Sequence, residues 1–231
     1  MISPEGGAVA GLLGGIGPFA TARYYEKIMA ECMARCPGYP ELVVVSLDFE
    51  RFTKLEDAED RGPYVEEILS GLRRLAAAGV DFAAMTANSP HVALERIRVR
   101  APLPIVSIVD PVVREIGRLG ARTVLLLGIS ATVRGRLYRA ELEAVGAEVM
   151  IPDAPDQALL DSIVFDELAR GRVRGSSRRR LLKLIRQCAA DAVLLACTEL
   201  PLLIQPGSTS IPLVDTMDLH VRAIVDRMAS R

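Results

Sequence analysis

The alternation of short, wholly apolar segments with longer amphipathic ones constrains the fold of this chain more than any other feature. Segments that are apolar throughout are typical of strands buried on both faces of a parallel sheet that helices cover. The eight segments are AVAGLLG, LVVVSLDF, DFAAMTA, LPIVSIV, RTVLLLG, AEVMIP, DAVLLAC and IPLVDT. Helices are predicted over 19–34, 63–78, 110–119, 132–145, 156–170, 177–189 and 216–230. The pattern therefore predicts an α/β fold of mostly parallel sheet flanked by helices.

The chain also looks internally duplicated. In the clearest pair, Asp81 matches Asp191 and Ala87 matches Cys197. Three pairs occur in the same order: GLLGGIG with VLLLGIS, GVDFAAMTANSP with AADAVLLACTELP, and LPIVSIVD with SIPLVDT. A repeat in sequence predicts a repeat in architecture. We expect two similar domains, 1–110 plus 206–231 and 111–205, with the active site in the cleft to which both offer the carboxyl ends of their strands.

Composition excludes several classes of function. The chain has 231 residues, a formal net charge of −1 and no Trp, which argues against a nucleic-acid or membrane surface. Its first residues lack the basic start of a signal peptide, and four cysteines do not make a disulfide framework, so we expect a cytoplasmic protein. Cys32 and Cys36, four residues apart, could hold a metal only with His91 or His220, and ordinary packing is the preferred interpretation.

Polar side chains follow two of the predicted strands. Cys197, Thr198 and Glu199 come directly after one apolar run, and Asn88 and Ser89 follow its counterpart. A thiol at such a strand end is typical of a catalytic cysteine, although an inert buried thiol is the alternative. We expect nearby N–H donors to lower the thiol pKa. The Glu199 side chain would either cap the next helix or orient the thiol.

A glycine-rich stretch after the first strand allows two interpretations. GIGPFA fits the G-x-G-x-x-A pattern of dinucleotide binding, with Asp48 at the end of the next strand. Pro18 and the extra Gly14 weaken that interpretation. The glycines suit close approach of a small carboxylate equally well. We therefore predict no cofactor and place Gly14 among the substrate-binding residues.

Several segments, in order along nearly the whole chain, resemble the aspartate/glutamate racemase family, which works without pyridoxal phosphate. They are GLLGGIGPFATARYY, ANSPHVALERI, LGISATVRGRLY, VFDELARG with SSRRRLL, ACTELPLLI and VDTMDLHVRAIV. The resemblance implies two pseudo-symmetric α/β domains and two cysteines that act on opposite faces of the substrate α-carbon. The second cysteine corresponds to Cys197. The first falls on Ala87, which leaves three alternatives: Thr86 replaces it, His91 replaces it, or no residue does.

The resemblance also implies how the substrate is held. Asn88, Ser89, Thr132 and Thr198 would bind the α-carboxylate. Arg174, or alternatively Arg51, would bind a distal carboxylate, since Arg pairs with carboxylates bidentately. The rest of the basic run 170–186 is interpreted as a solvated helix face.

The predicted function is a cofactor-independent racemase, expected as a homodimer, for aspartate, glutamate or a similar acidic amino acid. Cys197, Thr86 and Glu199 are its candidate catalytic residues. One alternative is a one-cysteine decarboxylase or cis–trans isomerase of a small dicarboxylate. Another is a catalytically inactive relative that binds a metabolite.

Overall fold

The computed structural model describes residues 7–35 and 38–230, which divide into two compact units. The described residues up to Ile108 and from Met217 onward form the first unit, and Val109–Thr216 form the second. The strands are β1 (Ala10–Gly14), β2 (Leu42–Ser46), β3 (Phe82–Met85), β4 (Ile105–Val106), β5 (Thr123–Leu127), β6 (Glu148–Met150), β7 (Ala192–Leu195) and β8 (Leu213–Asp215).

Helices cover both sheets. They are α1 (Pro18–Arg35), α2 (Phe49–Asp57), α3 (Gly62–Ala77), α4 (Leu94–Arg98), α5 (Val109–Leu119), α6 (Ser130–Arg134), α7 (Arg139–Ala144), α8 (Ala154–Ser162), α9 (Gly175–Gln187) and α10 (Thr216–Ala229). Short 3₁₀ turns at Ser89–Ala93 and Leu200–Leu202 follow β3 and β7, and a π-helical turn at Ile163–Glu167 extends α8.

The first unit contains a four-stranded parallel sheet in the order β2-β1-β3-β4. Successive side chains of a strand point to opposite faces, so each buried strand serves two cores. Leu12 belongs to a core with Tyr24 of α1 and Ile224 of α10. Its neighbour Leu13 belongs to another with Leu72 of α3. Helix α10 thus completes a sheet whose strands all precede residue 107.

The second unit repeats this arrangement with strands in the order β6-β5-β7-β8, all parallel. Its core includes Leu125 and Leu127 of β5, Val193 and Leu195 of β7, and Leu181 of α9. The predicted α/β class and the two similar parallel sheets are therefore confirmed.

Backbone hydrogen bonds fix the register of the repeat. The N–H of Thr86 donates to the carbonyl of Leu13, and the N–H of Ala196, 110 residues later, donates to the carbonyl of Leu127. The donors are again 110 residues apart in two further pairs of matching bonds, Ala83 to Pro104 with Val193 to Pro212, and Asp81 to Val9 with Asp191 to Thr123. Ala87 therefore occupies the position of Cys197.

Several boundaries and elements differ from the expected ones. The second unit extends to Thr216 rather than 205, because β8 pairs with β7. The segment predicted as one helix over 132–145 forms α6 and α7, which are separated near Arg136, where φ is +53°. Helix α2 is not predicted by the apolar pattern, and it starts where Asp48 accepts a hydrogen bond from the N–H of Arg51.

Two negative findings apply to residues 7–35 and 38–230. No helix there is long and apolar enough to span a membrane. No three His, Cys, Asp or Glu side chains there are grouped as a metal site requires. Cys32 is buried in the core that α1 forms with the first sheet, and Cys36 lies outside the described residues.

Candidate active site

The polar turn after β7 presents the thiol. The N–H of Leu200 donates to the carbonyl of Cys197 at 3.1 Å, which bends the chain into the 3₁₀ turn as soon as the strand ends. Cys197 is 6% exposed, and its neighbours Thr198 and Glu199 are equally buried. Three polar side chains are thus held in a small, nearly dry volume at the carboxyl end of a central strand.

Glu199 is the hydrogen-bond partner of the thiol. The Cys197 Sγ–H donates to Glu199 Oε2 at 3.3 Å, and the Thr198 hydroxyl donates to the same oxygen at 2.8 Å. Glu199 makes no side-chain capping bond to the turn that follows. Of the two expected roles, the geometry favours that of orienting the cysteine.

The environment of Cys197 holds its pKa well above the ordinary value. Burial is the largest cause, and the nearby Glu199 carboxylate adds to it. The N–H groups of Glu199 and Leu200 act in the opposite direction but are outweighed. The predicted lowering of this pKa is therefore wrong. The thiol is protonated at neutral pH, and the adjacent carboxylate is the nearest group that can accept its proton.

At the equivalent position of the first unit, the side chain of Ala87 packs in a buried cluster with Phe52 and Tyr64. Thr86, one residue earlier, is fully buried. Its hydroxyl lies 3.0 Å from the Thr21 hydroxyl and also approaches the carbonyl of Leu13. The structure thus places Thr86 in the packing between β3 and α1, which does not favour the acid–base role predicted for it.

Thr21 also accounts for the glycine-rich turn. The Gly15 N–H donates to Thr21 Oγ1, which in turn donates to the carbonyl of Gly17. A Cβ atom at Gly14 would lie only 2.2 Å from Thr21 Cγ2. Gly14 is therefore explained by packing rather than by a ligand. The Gly15 N–H is already bound by Thr21, and the Asp48 carboxylate already caps α2. These bonds further weaken the dinucleotide interpretation.

His91 braces the turn that contains Ala87. Its Nδ1–H donates to the Ala87 carbonyl at 2.9 Å, and its Nε2 accepts from the Ile108 N–H at 3.3 Å. Burial lowers the pKa of His91 to about 3. His91 is therefore neutral across the physiological range, which does not favour it as the replacement for the first cysteine.

His220 of α10 packs edge-on against the His91 ring, with centroids 5.8 Å apart. Its Nδ1 accepts from the Tyr24 hydroxyl at 3.0 Å, and its Nε2–H donates to the Val106 carbonyl at 3.0 Å. Burial lowers the pKa of His220 to about 4. Both histidines are uncharged structural groups of the first unit.

The sequence patterns did not indicate one buried carboxyl group, that of Glu56, which lies next to the turn after β3. Glu56 of α2 is 6% exposed and accepts hydrogen bonds from the Ser89 side chain and, at 3.3 Å, from the Tyr64 hydroxyl. Burial raises the pKa of Glu56. The available signal was its spacing, since Glu56 follows Phe52 by one helical turn and so falls on the inward face of α2. Asn88 is also buried in the turn.

Thr132 is a buried hydroxyl without a partner. The residue is 1% exposed, and its Oγ1 makes no hydrogen bond. The repeat explains the missing partner. Thr132 packs beside Gly128 as Thr21 packs beside Gly14 in the first unit. Thr21 pairs with the Thr86 hydroxyl, but the residue equivalent to Thr86 in the second unit is Ala196, which has no hydroxyl to offer Thr132. An unpaired buried hydroxyl costs about 1–3 kcal/mol, so it marks a place where a ligand oxygen would be stabilised.

Both candidate arginines are already engaged by carboxylates. Arg51 pairs with Glu67 beside an open groove of about 430 Å³ that Ser46, Ser70 and Arg74 also line. Arg174 is 58% exposed and lies 3.8 Å from Glu167. The basic side chains of the α9 segment, Arg178, Arg179 and Arg180, are exposed, as expected of a solvated face.

The structure therefore defines a class of protein, a duplicated α/β protein equipped with a buried thiol–carboxylate pair at the end of a central strand. The model of the Asp/Glu/hydantoin racemase family matches residues 13–224, and the chain belongs to that family. It is an isomerase of the racemase type.

Individual proteins that are similar to this chain include racemases and a racemase homologue. The broad specificity amino-acid racemase of Bacillus subtilis (strain 168) is 25% identical over 211 residues, which are 89% of this chain and 92% of that protein. The crystal structure of an aspartate racemase homologue from Pyrococcus horikoshii OT3 is 30% identical with a TM-score of 0.82, covering 96% of this chain and 100% of that one. The aspartate racemase of Picrophilus torridus is 25% identical with a TM-score of 0.80, covering 97% and 96%.

Proposed function

We propose that this protein racemises aspartate, glutamate or a similar acidic amino acid without a cofactor, and that Cys197 is the acid–base group for one face of the α-carbon. The observation that supports it most directly is the Cys197–Glu199 hydrogen bond at the end of β7. A thiol paired with a carboxylate can give up its proton to that carboxylate and then take one from carbon.

The chemistry explains why a raised thiol pKa is useful here. The α-proton of an amino acid is weakly acidic, so a base of low pKa would remove it poorly. A desolvated thiolate, formed only when Glu199 or the substrate accepts the proton, is a stronger base. The dry surroundings of Cys197 also strengthen every hydrogen bond to the carbanion that forms.

The substrate carboxylate would be bound by hydroxyl and amide groups near the strand ends. Thr132 is the best supported of them, because its hydroxyl is buried with nothing to bond. Thr198 and Asn88 complete the proposed set. Arg174 is proposed for the distal carboxylate, which would displace Glu167 from a long and exposed ion pair.

Two further parts of the proposal concern the protein in the cell. We expect it to act in the cytoplasm as a homodimer that takes small acidic amino acids or dicarboxylates. Size-exclusion chromatography with light scattering measures the oligomeric state directly.

The function is tested by proton NMR of L- and D-aspartate and of L- and D-glutamate with the enzyme in D₂O. We expect loss of the α-proton signal together with inversion. A Cys188→Ser variant, which removes the partly exposed thiol of the same unit, is the matched control and should keep full activity. Exchange with retention only would favour one-base chemistry. No exchange on any amino acid would refute the racemase proposal and favour a decarboxylase or a binding protein.

A further inference from the structure

Two buried polar atoms without a hydrogen-bond partner lie close together at the carboxyl end of β5. Among the described residues, three buried side-chain nitrogen or oxygen atoms lack a partner, and two of them are Thr132 Oγ1 and Gln157 Oε1. Gly128 lies beside both. The Gln157 side chain donates to the Gly128 carbonyl at 2.9 Å, and a Cβ atom at Gly128 would lie 3.4 Å from Thr132 Cβ. Because buried polar groups are nearly always paired in folded proteins, two unpaired ones at one place indicate a ligand site.

The orientation of the Gln157 amide is fixed by its partners. Its NH₂ group donates to the Gly128 carbonyl and, at 3.0 Å, to Asp161 Oδ1. Both partners are acceptors, so the amide nitrogen faces them and the amide oxygen faces away from them. The unpaired atom is therefore an acceptor that needs a donor, and turning the amide over would not satisfy it.

The surroundings of this oxygen favour a positively charged donor. The Asp161 carboxylate bonds to the same amide and gives the position a negative potential. Its other donors are the N–H and the hydroxyl of Ser130, which carry no charge. A cation beside Gln157 would therefore gain both a hydrogen bond and the attraction of a nearby carboxylate.

The Thr132 hydroxyl differs from the Gln157 oxygen because it can donate, which suits an anion. An α-amino acid carries a carboxylate and an ammonium group on the same carbon. One unpaired donor and one unpaired acceptor beside the same glycine match that pair of groups. The position also adjoins the thiol, since a Cβ atom at Gly128 would lie 3.1 Å from the carbonyl of Ala196, the residue before Cys197.

We propose that Gln157 Oε1 accepts a hydrogen bond from the α-ammonium group of the substrate while Thr132 binds its α-carboxylate. Gln157 thereby selects amino acids over dicarboxylates that lack the amine. The inference rests on the proposed racemase function for the identity of the ligand, and it uses residues of the second unit alone. Gln157 is a binding residue that determines specificity and takes no part in proton transfer.

Isothermal titration calorimetry with racemic aspartate and with succinate tests the assignment, because succinate is aspartate without its ammonium group. Gln157→Met keeps the length of the side chain but removes the amide. It should raise the Kd for aspartate at least about tenfold relative to the Kd for succinate, as expected for loss of a hydrogen bond to a charged group. Thr132→Val should weaken both ligands by the same factor, because both carry the carboxylate. Gln187→Met, the same change at an exposed position of the second unit, is the matched control and should leave both Kd values unchanged.

The ratio of the two Kd values separates binding of the ammonium group from a structural role. An equal loss of affinity for aspartate and succinate in Gln157→Met would overturn the assignment, as would a wild-type protein that binds the two ligands equally well. If Gln157→Met does not fold, as judged by its unfolding transition, Asp161→Asn decides, since it removes the neighbouring charge and should shift the same ratio in the same direction.

The measurement also distinguishes this inference from the function on which it rests. Wild type that binds neither ligand would overturn both. Selective binding of aspartate that depends on Gln157, without α-proton exchange in D₂O, would refute the racemase function and support the ammonium site.

Discussion

Acidification should destabilise the first unit through its two buried histidines. His91 and His220 have pKa values of about 3 and about 4 in the folded protein, against 6.5 in an exposed chain. Below pH 6.5 the unfolded state therefore binds protons that the folded state cannot. The contribution of the two histidines to the free energy of unfolding has its full value above pH 6.5. It falls as the pH decreases from there and levels off near the folded pKa values.

The magnitude follows from these values. At pH 5, protonation of the unfolded state is worth about 2 kcal/mol for each histidine, or about 4 kcal/mol for the pair. That is a large part of the roughly 5–15 kcal/mol that stabilises a typical domain. Glu56, with its raised pKa, acts in the opposite direction, so the histidine contribution must be isolated by substitution.

The assay is equilibrium unfolding in urea, followed by circular dichroism at pH 7.5, 6 and 5, for wild type, His91→Gln and His220→Gln. Glutamine offers an N–H donor and an oxygen acceptor, as His91 does, but has no charge to gain. Between pH 7.5 and 5 each variant should lose about 2 kcal/mol less than wild type. Identical losses in all three proteins would show that the histidines do not resist protonation and would refute the reasoning.

Four further outcomes are expected. Cys197→Ser should reduce racemisation about 10²–10⁴-fold with an unchanged unfolding midpoint, and a rate above a tenth of wild type would contradict its role. Thr132→Val should raise KM while the free energy of unfolding stays level or rises by about 1 kcal/mol, because it removes an unpaired hydroxyl. Arg174→Ala should raise KM for acidic amino acids but not for alanine. An equal change for both substrates would show that Arg174 does not bind the distal carboxylate and would favour Arg51 for that role. Ala87→Cys should increase inversion in wild type by about tenfold or more, as measured by polarimetry.

The fold could be predicted because strands buried on both faces are apolar along their whole length. All eight predicted strands occur, and the spacing between Ala87 and Cys197 is that of the structural repeat. Helix α2 was missed because the apolar run before it continues to Phe49, which conceals the cap at Asp48.

The site was predictable only in part, since burial and hydrogen-bond partners depend on tertiary contacts. Cys197 and its polar neighbours are adjacent in sequence, so their grouping was visible. The raised pKa of Cys197 was not, because burial outweighs the local N–H donors. Glu56 and Ser89 are far apart along the chain, and only the packing of α2 against the turn brings them together.

The return of the chain to the first unit has a consequence for biosynthesis. The second unit is continuous, so all of its strands and helices have been made once Thr216 has been added. The first unit lacks Met217 and Ile224, which cover Leu12 in its core, until α10 is made. At about 5–20 residues per second, the ribosome needs roughly 5–20 s to translate the intervening unit. Throughout that interval the part of the apolar face that α10 covers is open, so we expect the second unit to complete its core before the first.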